Sequence, residues 1–319
     1  MGAHRQGPQA RARRRLNLAL AGGLAAAPLL AAACSTSASS AGSGSDVIAA
    51  VGAENEYADV VSQIGGSYVS VSSVLHNPNT DPHTFESSPS VAREVSAAEL
   101  VVQNGAGYDD FMTKIEGASP RPSRKVIVVQ RLLGLPDTTP NPHLWYSPRT
   151  MPLVAQAVAD DLASLQPRHA SYFRANVQKF DSALSSWTDA IAVFKARYAG
   201  TAVATTEPVA DYLLDAMGAD NLTPFRFQAD VMNGVDPAPQ DVALEKTFFS
   251  RHQVKVFCYN EQVVSSLTAS IRADAEAAGV PVVGVYETMP TGYDYQRWMV
   301  AEVRAIEAAV ASGKSTGQL

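Results

Sequence analysis

Short apolar runs alternate with helical stretches along most of the chain, and this alternation predicts the fold class. The run Leu100–Gln103 is rich in Val and ends before Asn104, and the helical stretch Tyr57–Ile64 ends before Gly65. Strands that alternate with helices in this way are typical of a parallel sheet with helices on both faces. The runs predicted as strands are residues 47–51, 68–75, 100–103, 126–129, 201–205, 254–259 and 282–286.

A long stretch without Gly or Pro separates the two groups of strands. Between Ser171 and Arg197, apolar residues recur at spacings of three and four, which places them on one face of a helix. At about 1.5 Å per residue, this helix would be roughly 40 Å long. The sequence therefore predicts an α/β fold of two lobes, residues 46–170 and 198–319, each a parallel sheet flanked by helices. A single long rigid α-helix over residues 171–197 joins them.

The first 34 residues have the pattern of a secretory signal. A basic head with paired arginines precedes the apolar stretch Leu16–Ala33, which ends in small residues before Cys34. A cysteine in that setting resembles a bacterial lipobox, in which the thiol is acylated and anchors the protein to a membrane. Residues 35–45 are Ser, Gly, Ala and Thr, and are predicted to be a flexible tether. The alternative is a soluble secreted protein, and both the general and the twin-arginine export routes stay open.

Charge and cysteine content narrow the class of protein. The whole chain carries a formal net charge of -6, although residues 1–34 contain five arginines and no acid, so the exported part is more acidic still. Such a chain repels nucleic acid, and no nucleic-acid partner is predicted. The only cysteine besides Cys34 is Cys258, in an apolar run, where it is predicted to be a core residue.

Four side chains with metal-ligating atoms lie in predicted loops. His83 and His143 each follow a proline, while Glu207 and Glu287 follow the predicted strands of the second lobe. Loops beyond the carboxyl ends of parallel strands are where open α/β sheets bind ligands. Two ligands would come from each lobe, so one ion between them would hold the lobes together.

Two imidazoles and two carboxylates form a closed ligand shell for a borderline divalent cation. Zinc, manganese and ferrous iron all fit this donor set, and ligand type alone does not choose among them. The simpler alternatives are solvated loop histidines and glutamates that cap helices. Glu54 and Asn55 follow the first predicted strand, so they are expected to face the cleft and support the ligands.

Several short motifs are spread over nearly all of residues 46–312. They are Asp81–His83, Glu86–Ser90, Ala98–Gly105, Asn141–Trp145, Thr206–Pro208, Tyr259–Gln262 and Tyr286–Pro290. Together they resemble the metal-binding substrate-binding proteins of zinc and manganese ABC importers, also called the cluster A-I or cluster 9 type.

This resemblance implies two lobes joined by a long helix, with one ligand at each of His83, His143, Glu207 and Glu287. It also implies capture of one divalent ion, a permease and an ATPase as partners, and a lipid anchor at the extracytoplasmic face of the cell membrane. The protein is expected to be monomeric and not an enzyme.

Zinc members often have a His-rich loop between the first two ligands, which residues 116–140 lack. Many zinc members also have a third His in place of Glu207, and two histidines with two carboxylates are commoner in the manganese and iron branch. The motifs Tyr259–Gln262 and Glu287–Pro290 are more similar to those of zinc members, so zinc is favoured over manganese.

Two other functions are alternatives to an importer subunit. An exported zinc-dependent hydrolase needs an open coordination position and a base beside the bound water. The sequence contains no His-Glu-x-x-His or Gly-x-Ser-x-Gly motif, and four protein ligands would leave no open position. The other alternative is a surface lipoprotein adhesin, which loss of metal uptake on deletion would distinguish from an importer subunit.

Overall fold

Two four-stranded parallel sheets form the framework of the chain in a computed structural model, which describes residues 47–79 and 81–319. The predicted signal, Cys34 and the tether lie outside the described residues. The strands of the first sheet are β1 (Ile48–Glu54), β2 (Val69–Leu75), β3 (Leu100–Gln103) and β4 (Lys125–Val128). Those of the second are β5 (Ala202–Thr205), β6 (Asp220–Asn221), β7 (Val256–Asn260) and β8 (Val282–Val285).

Both sheets have the same topology. The strand order is β2-β1-β3-β4 in the first and β6-β5-β7-β8 in the second, and every neighbouring pair is parallel. The carboxyl ends of the strands in each sheet therefore meet at one edge, where ligands bind in open parallel sheets. The predicted fold class, two parallel α/β lobes with a long helix, is confirmed.

Helices cover these sheets and connect their strands. Those of the first lobe are α1 (Asn55–Gly65), α2 (Pro89–Ala97), α3 (Asp110–Ala118), α4 (Val129–Leu132) and α5 (Thr150–Leu165). The long helix is α6 (Ala170–Tyr198), and those of the second lobe are α7 (Asp211–Met217), α8 (Phe225–Met232), α9 (Pro239–Ser250), α10 (Ser266–Ala277) and α11 (Tyr295–Ser312). None of the helices in the described ranges is long and apolar enough to span a bilayer.

The long helix α6 has 29 residues, so it extends about 43 Å. It packs against α1 and α5 of the first lobe and against α7 and α11 of the second. Its apolar stripe is buried as the spacing predicts, and one hydrophobic core continues from the first lobe across this stripe into the second. The buried members of the stripe are Phe173, Val177, Phe180, Leu184, Trp187, Ile191 and Phe194.

Buried hydrogen bonds also join the lobes directly. The Tyr146 hydroxyl donates to the carbonyl oxygen of Tyr286 at 2.8 Å, and the Asn141 amide donates to that of Pro208, also at 2.8 Å. Asn55 both donates to and accepts from the backbone of Met289, at 2.8 and 2.9 Å. These contacts lie close to the loops that contain the predicted ligands, so they fix the spacing of those loops across the cleft.

Candidate metal site

His83 lies in a single turn of 3-10 helix, Pro82–Thr84, that follows β2. Asp81 caps this turn, because its side-chain oxygen accepts the backbone N–H of His83 at 2.8 Å. The proline at the first position of the turn restricts the backbone further. The imidazole is therefore presented by a short, locally fixed loop, and its side chain is 20% exposed.

His143 is fully buried and precedes a second 3-10 turn, Leu144–Tyr146. The side-chain oxygen of Asn141 accepts the backbone N–H of His143 at 3.0 Å and lies 2.8 Å from its Nδ1. An amide oxygen only accepts hydrogen bonds, so the tautomer that donates to Asn141 has its proton on Nδ1. Nε2 is then left with its lone pair toward the cleft, as a metal ligand requires.

Glu287 lies two residues beyond the end of β8 and is fully buried. Gln262 accepts the backbone N–H of Glu287 at 2.7 Å, and the Asn260 amide donates to its Oε1 at 2.7 Å. The Tyr108 hydroxyl of the first lobe donates to its Oε2 at 2.9 Å. Both carboxylate oxygens are thus positioned by neighbouring polar side chains.

These three residues converge between the lobes. Glu287 Oε2 lies 3.1 Å from His83 Nε2 and 3.2 Å from His143 Nε2. One ligand atom from each of the three lies within 4.8 Å of the others, and no other group of this kind occurs in the described ranges. The contact of His83 lacks the alignment of a hydrogen bond, whereas Nε2 of His143 lies at hydrogen-bond distance from the same carboxylate oxygen.

The charges of the cluster depend on one another. Burial alone would raise the pKa of Glu287, but its close contacts with the imidazoles of His143 and His83 outweigh burial and hold this pKa below its ordinary value of 4.5. Burial lowers the pKa of His143 below 6.5. Burial also acts to lower the pKa of His83, but the neighbouring Glu287 carboxylate outweighs it and raises this pKa above 6.5. The arrangement is a carboxylate facing two imidazoles, which is suited to binding a cation.

The fourth predicted ligand, Glu207, is buried in the loop after β5 but is not part of the three-residue group. Neither of its carboxylate oxygens has a hydrogen-bond partner. Burial, and after it the charge of Glu287, raises the pKa of Glu207 well above 4.5. The protonation of Glu207 therefore depends on the charge of Glu287. Its role as a ligand stays a prediction.

The two predicted supporting residues differ in their surroundings. Glu54 is the last residue of β1 rather than part of the loop beyond it, because β1 continues three residues past its predicted end at Val51. It is buried without a hydrogen-bond partner for either oxygen, and burial raises its pKa well above 4.5. Asn55 instead binds the backbone of Met289, two residues beyond Glu287. Their supporting roles also stay predictions.

Some residues of the site were not assigned a role from the sequence. Asn141, Asn260 and Gln262 lie within quoted motifs, but their contacts with His143 and Glu287 depend on the folded structure. Tyr108 lies in none of the motifs. It nevertheless follows the end of β3, at the carboxyl edge of the first sheet, where site residues are expected.

The other histidines of the described ranges and Cys258 are not part of the three-residue group. His76 and His252 are exposed. His169 is half-buried, and its ring stacks on Tyr68 at 3.7 Å between centroids. Cys258 is buried, as the apolar run predicts.

Two parallel-sheet lobes on one long helix, with imidazoles and a carboxylate converging between them, define a two-lobe binding protein with a metal-ligand cluster in its cleft. The chain belongs to the family described as zinc-uptake complex component A, periplasmic (ZnuA), which it matches over residues 51–309. The proteins of this family are substrate-binding components of metal ABC transporters and not enzymes.

Curated relatives match part of the chain. The manganese-binding lipoprotein MntA of Bacillus subtilis is 28% identical over 135 residues, which cover 40% of this chain and 43% of the relative. The metal ABC transporter substrate-binding lipoprotein ScbA of Streptococcus cristatus is 26% identical over 167 residues, or 49% of this chain and 54% of the relative. The chain thus spans about half the length of these relatives.

Solved structures match most of the chain in fold. The periplasmic zinc-binding protein TroA of Treponema pallidum has a TM-score of 0.69 at 17% identity, with 83% of this chain and 98% of that chain covered. A crystal structure of ZnuA has a TM-score of 0.67 at 20% identity, with 83% and 100% covered. At these identities the similarity establishes the shared fold.

Proposed function

We propose that this protein captures one divalent transition-metal ion between its two lobes and delivers it to a membrane permease that is driven by an ATPase subunit. The ligands in this proposal are His83, His143, Glu207 and Glu287. The ion is the transported substrate. Zinc is the favoured ion and manganese the second choice.

The observation that carries the proposal is the convergence of three ligand atoms from different parts of the chain. Glu287 Oε2 lies within 3.2 Å of Nε2 of both histidines, and the histidines belong to the first lobe while Glu287 belongs to the second. Asn141 leaves the Nε2 lone pair of His143 free for a metal, and Asn260 and Tyr108 orient the carboxylate. Orientation of ligands by such neighbours is typical of metal sites.

Glu207 is the fourth ligand in this proposal because it is buried, the charge of Glu287 raises its pKa, and neither of its oxygens has a hydrogen-bond partner. Two buried carboxylates near one another repel, and a divalent cation between them would relieve that repulsion. With two imidazoles, they would neutralise the double charge of the ion. Four ligands of this mixed type suit the tetrahedral preference of zinc, whereas manganese accepts oxygen-rich sites.

We also propose that the protein acts outside the cytoplasm, anchored through Cys34 by lipid. The relatives MntA and ScbA are named as lipoproteins, which supports the lipobox prediction for this chain. The name of ScbA likewise supports a role with an ABC transporter. A lipid and a tether would hold the binding protein near its permease while leaving the two lobes free in the surrounding medium.

Calorimetric titration of chelator-stripped protein with zinc tests the proposed function directly. We expect a single site per chain, because four ligands from two lobes close one coordination shell. Manganese should bind to the same site and compete with zinc. Absence of binding, or two equivalent sites per chain, would contradict the proposal. Elemental analysis of protein purified without chelator identifies the ion acquired in the cell.

A further inference from the structure

The segment Ser315–Gly317 follows α11 and returns along the edge of the second sheet, beside β8. Thr316 pairs with Val283 in parallel orientation. The N–H of Gly284 donates to the carbonyl oxygen of Thr316 at 2.7 Å, and the N–H of Thr316 donates to that of Val282 at 2.9 Å. This edge segment, Ser315–Gly317, therefore extends the sheet by one short strand and satisfies backbone groups at its edge.

Two further contacts fix the edge segment from its ends. The Ser315 hydroxyl accepts the backbone N–H of Val282 at 3.1 Å, at the start of β8. The Tyr286 hydroxyl donates to the carbonyl oxygen of Gly317 at 3.3 Å. Tyr286 directly precedes Glu287, so the edge segment contacts the chain from the first residue of β8 to the residue next to the predicted ligand.

Gly284 permits this close approach. A Cβ atom at position 284 would lie 2.7 Å from the carbonyl oxygen of Gly317 and 2.8 Å from Cγ of Glu261. Glu261 is itself held by Arg272, at 3.0 Å between charged atoms, and its backbone N–H donates to Val285 at 3.1 Å. The absence of a side chain on Gly284 therefore lets the edge segment and the loop after β7 pack against β8 together.

We propose that the edge segment Ser315–Gly317 is a positioning element for Glu287. It holds β8 and Tyr286 on one side, while β7, Asn260 and Gln262 hold β8 and Glu287 on the other. With both sides fixed, the Glu287 carboxylate stays within 3.2 Å of Nε2 of both His83 and His143. This inference rests on the proposed function, because its readout is the affinity for the metal ion.

The substitution Thr316→Pro tests the proposal. Proline removes the N–H that donates to Val282 and restricts the backbone before it, so it detaches the edge segment. We expect zinc affinity to fall by about tenfold, the lower end of the effect of losing a residue that supports a ligand. Thr316→Ala is the matched control, since it keeps both backbone hydrogen bonds and should bind zinc like the parent.

A double substitution separates positioning of Glu287 from a general loss of stability. If the edge segment acts through Glu287, Thr316→Pro should weaken zinc binding in the parent and have no further effect in a Glu287→Ala background. Equal weakening in both backgrounds, or parent-like binding by Thr316→Pro, would overturn the inference. A parent protein that binds no zinc would instead refute the proposed function, and the inference with it.

Tyr286→Phe keeps the test decisive should Thr316→Pro fail to fold. It removes only the hydroxyl that donates to Gly317 and keeps the ring. We expect zinc affinity to fall by about threefold, as for the loss of one hydrogen bond. The same dependence on Glu287 should hold, and a Tyr286→Phe variant with unchanged affinity would overturn the inference.

Discussion

Glu287 belongs to the second lobe, and its carboxylate contacts three side chains of the first. Its Oε2 atom accepts the Tyr108 hydroxyl and faces Nε2 of His83 and His143, so three groups of the first lobe converge on one oxygen of the second. A bound zinc ion would sit about 2.0–2.2 Å from each of its nitrogen and oxygen ligands. The contacts between the carboxylate and the imidazoles would then become bonds to a shared ion, with only small movements of the side chains.

Substitution of single ligands tests this arrangement at the residue scale. His83→Ala, His143→Ala and Glu287→Ala should each weaken zinc binding at least as much as the roughly 10- to 100-fold loss typical of a supporting residue, because each removes a direct ligand. Glu207→His should keep four ligands with one less negative charge and shift the preference from manganese toward zinc. Competition titrations against both metals measure these effects.

The control for the ligand substitutions is His252→Ala, because His252 is exposed and away from the cluster. It should bind both metals like the parent. If it lost as much affinity as His83→Ala, or if Glu287→Ala bound zinc like the parent, the assignment of the ligands would be wrong.

The pH dependence of binding follows from the histidines. A protonated imidazole has no lone pair for a metal, so protons compete with the ion as the pH falls. Glu287 raises the pKa of His83 above 6.5, so protons compete at this histidine from a higher pH than at a free imidazole, while burial lowers the pKa of His143. Affinity should fall steeply from about pH 7 to pH 5. A flat affinity profile across this range, measured by titration, would exclude the histidines as ligands.

The sequence identifies residues more readily than their contacts. His83 and His143 are recognisable because each lies in a short motif with a proline directly before it. The tautomer of His143 depends on the side-chain conformation of Asn141, and the contact of Tyr108 with Glu287 joins residues 179 positions apart. Such details depend on packing between lobes, and hydrophobic periodicity carries no information about it.

At the scale of elements, β7 and β8 form one unit of the site. They are adjacent and parallel, so the residues that follow their carboxyl ends lie side by side. The last residue of β7, Asn260, donates to the carboxylate of Glu287, and Gln262 in the loop after β7 accepts its backbone N–H. Glu287, which follows β8, is therefore held in place by residues at and just beyond the end of β7.

Gln262→Ala tests this pairing. It removes the acceptor for the backbone N–H groups of Glu287 and Thr288, which leaves two buried donors without that partner. Zinc affinity should fall by about tenfold, chiefly through faster dissociation, as Glu287 loses its fixed position. Gln253→Ala in an exposed loop is the matched control. Equal affinities of the two variants in a titration would show that Gln262 does not position the ligand.

The elements themselves were predicted with uneven success, for physical reasons. The stripe of α6 repeats from Phe173 to Phe194, and strand runs such as Leu100–Gln103 are uninterrupted, so both can be predicted without tertiary information. The two-residue strand β6 is too short to show alternation, and its pairing with β5 defines it. The sequence pattern also does not predict α8 and α9. The four buried positions of α9 lie on one face, but two of them are Asp241 and Glu245, so that face does not appear as an apolar stripe in the sequence.

At the scale of the whole molecule, the two lobes share one core and one long helix. The core continues from α5 across α6 to α11, and hydrogen bonds near the cleft connect the lobes again. The sequence pattern predicted two parallel sheets, but the repeated strand order follows from how each connection crosses its sheet. A metal ion would add one further link, at the point where the lobes face each other.

The predicted lipid anchor is a property of the whole molecule in the cell. Cys34→Ala should leave the protein unprocessed or release it into the medium, because the acylated thiol is its proposed attachment to the membrane. Cell fractionation followed by immunodetection measures the distribution. The mass of the mature parent protein, which should include the lipid, provides the control. A processed Ala variant that stays membrane-bound would contradict the lipoprotein assignment.

The most direct test of the account is a crystal structure of the zinc-loaded protein with anomalous diffraction at the zinc edge. We expect one strong anomalous peak per chain, between the two lobes. It should lie about 2.0–2.2 Å from Nε2 of His83, Nε2 of His143 and one carboxylate oxygen each of Glu207 and Glu287. A peak bound by residues of one lobe alone, or a peak away from His83, His143 and Glu287, would contradict the claim that the ion is held between the lobes.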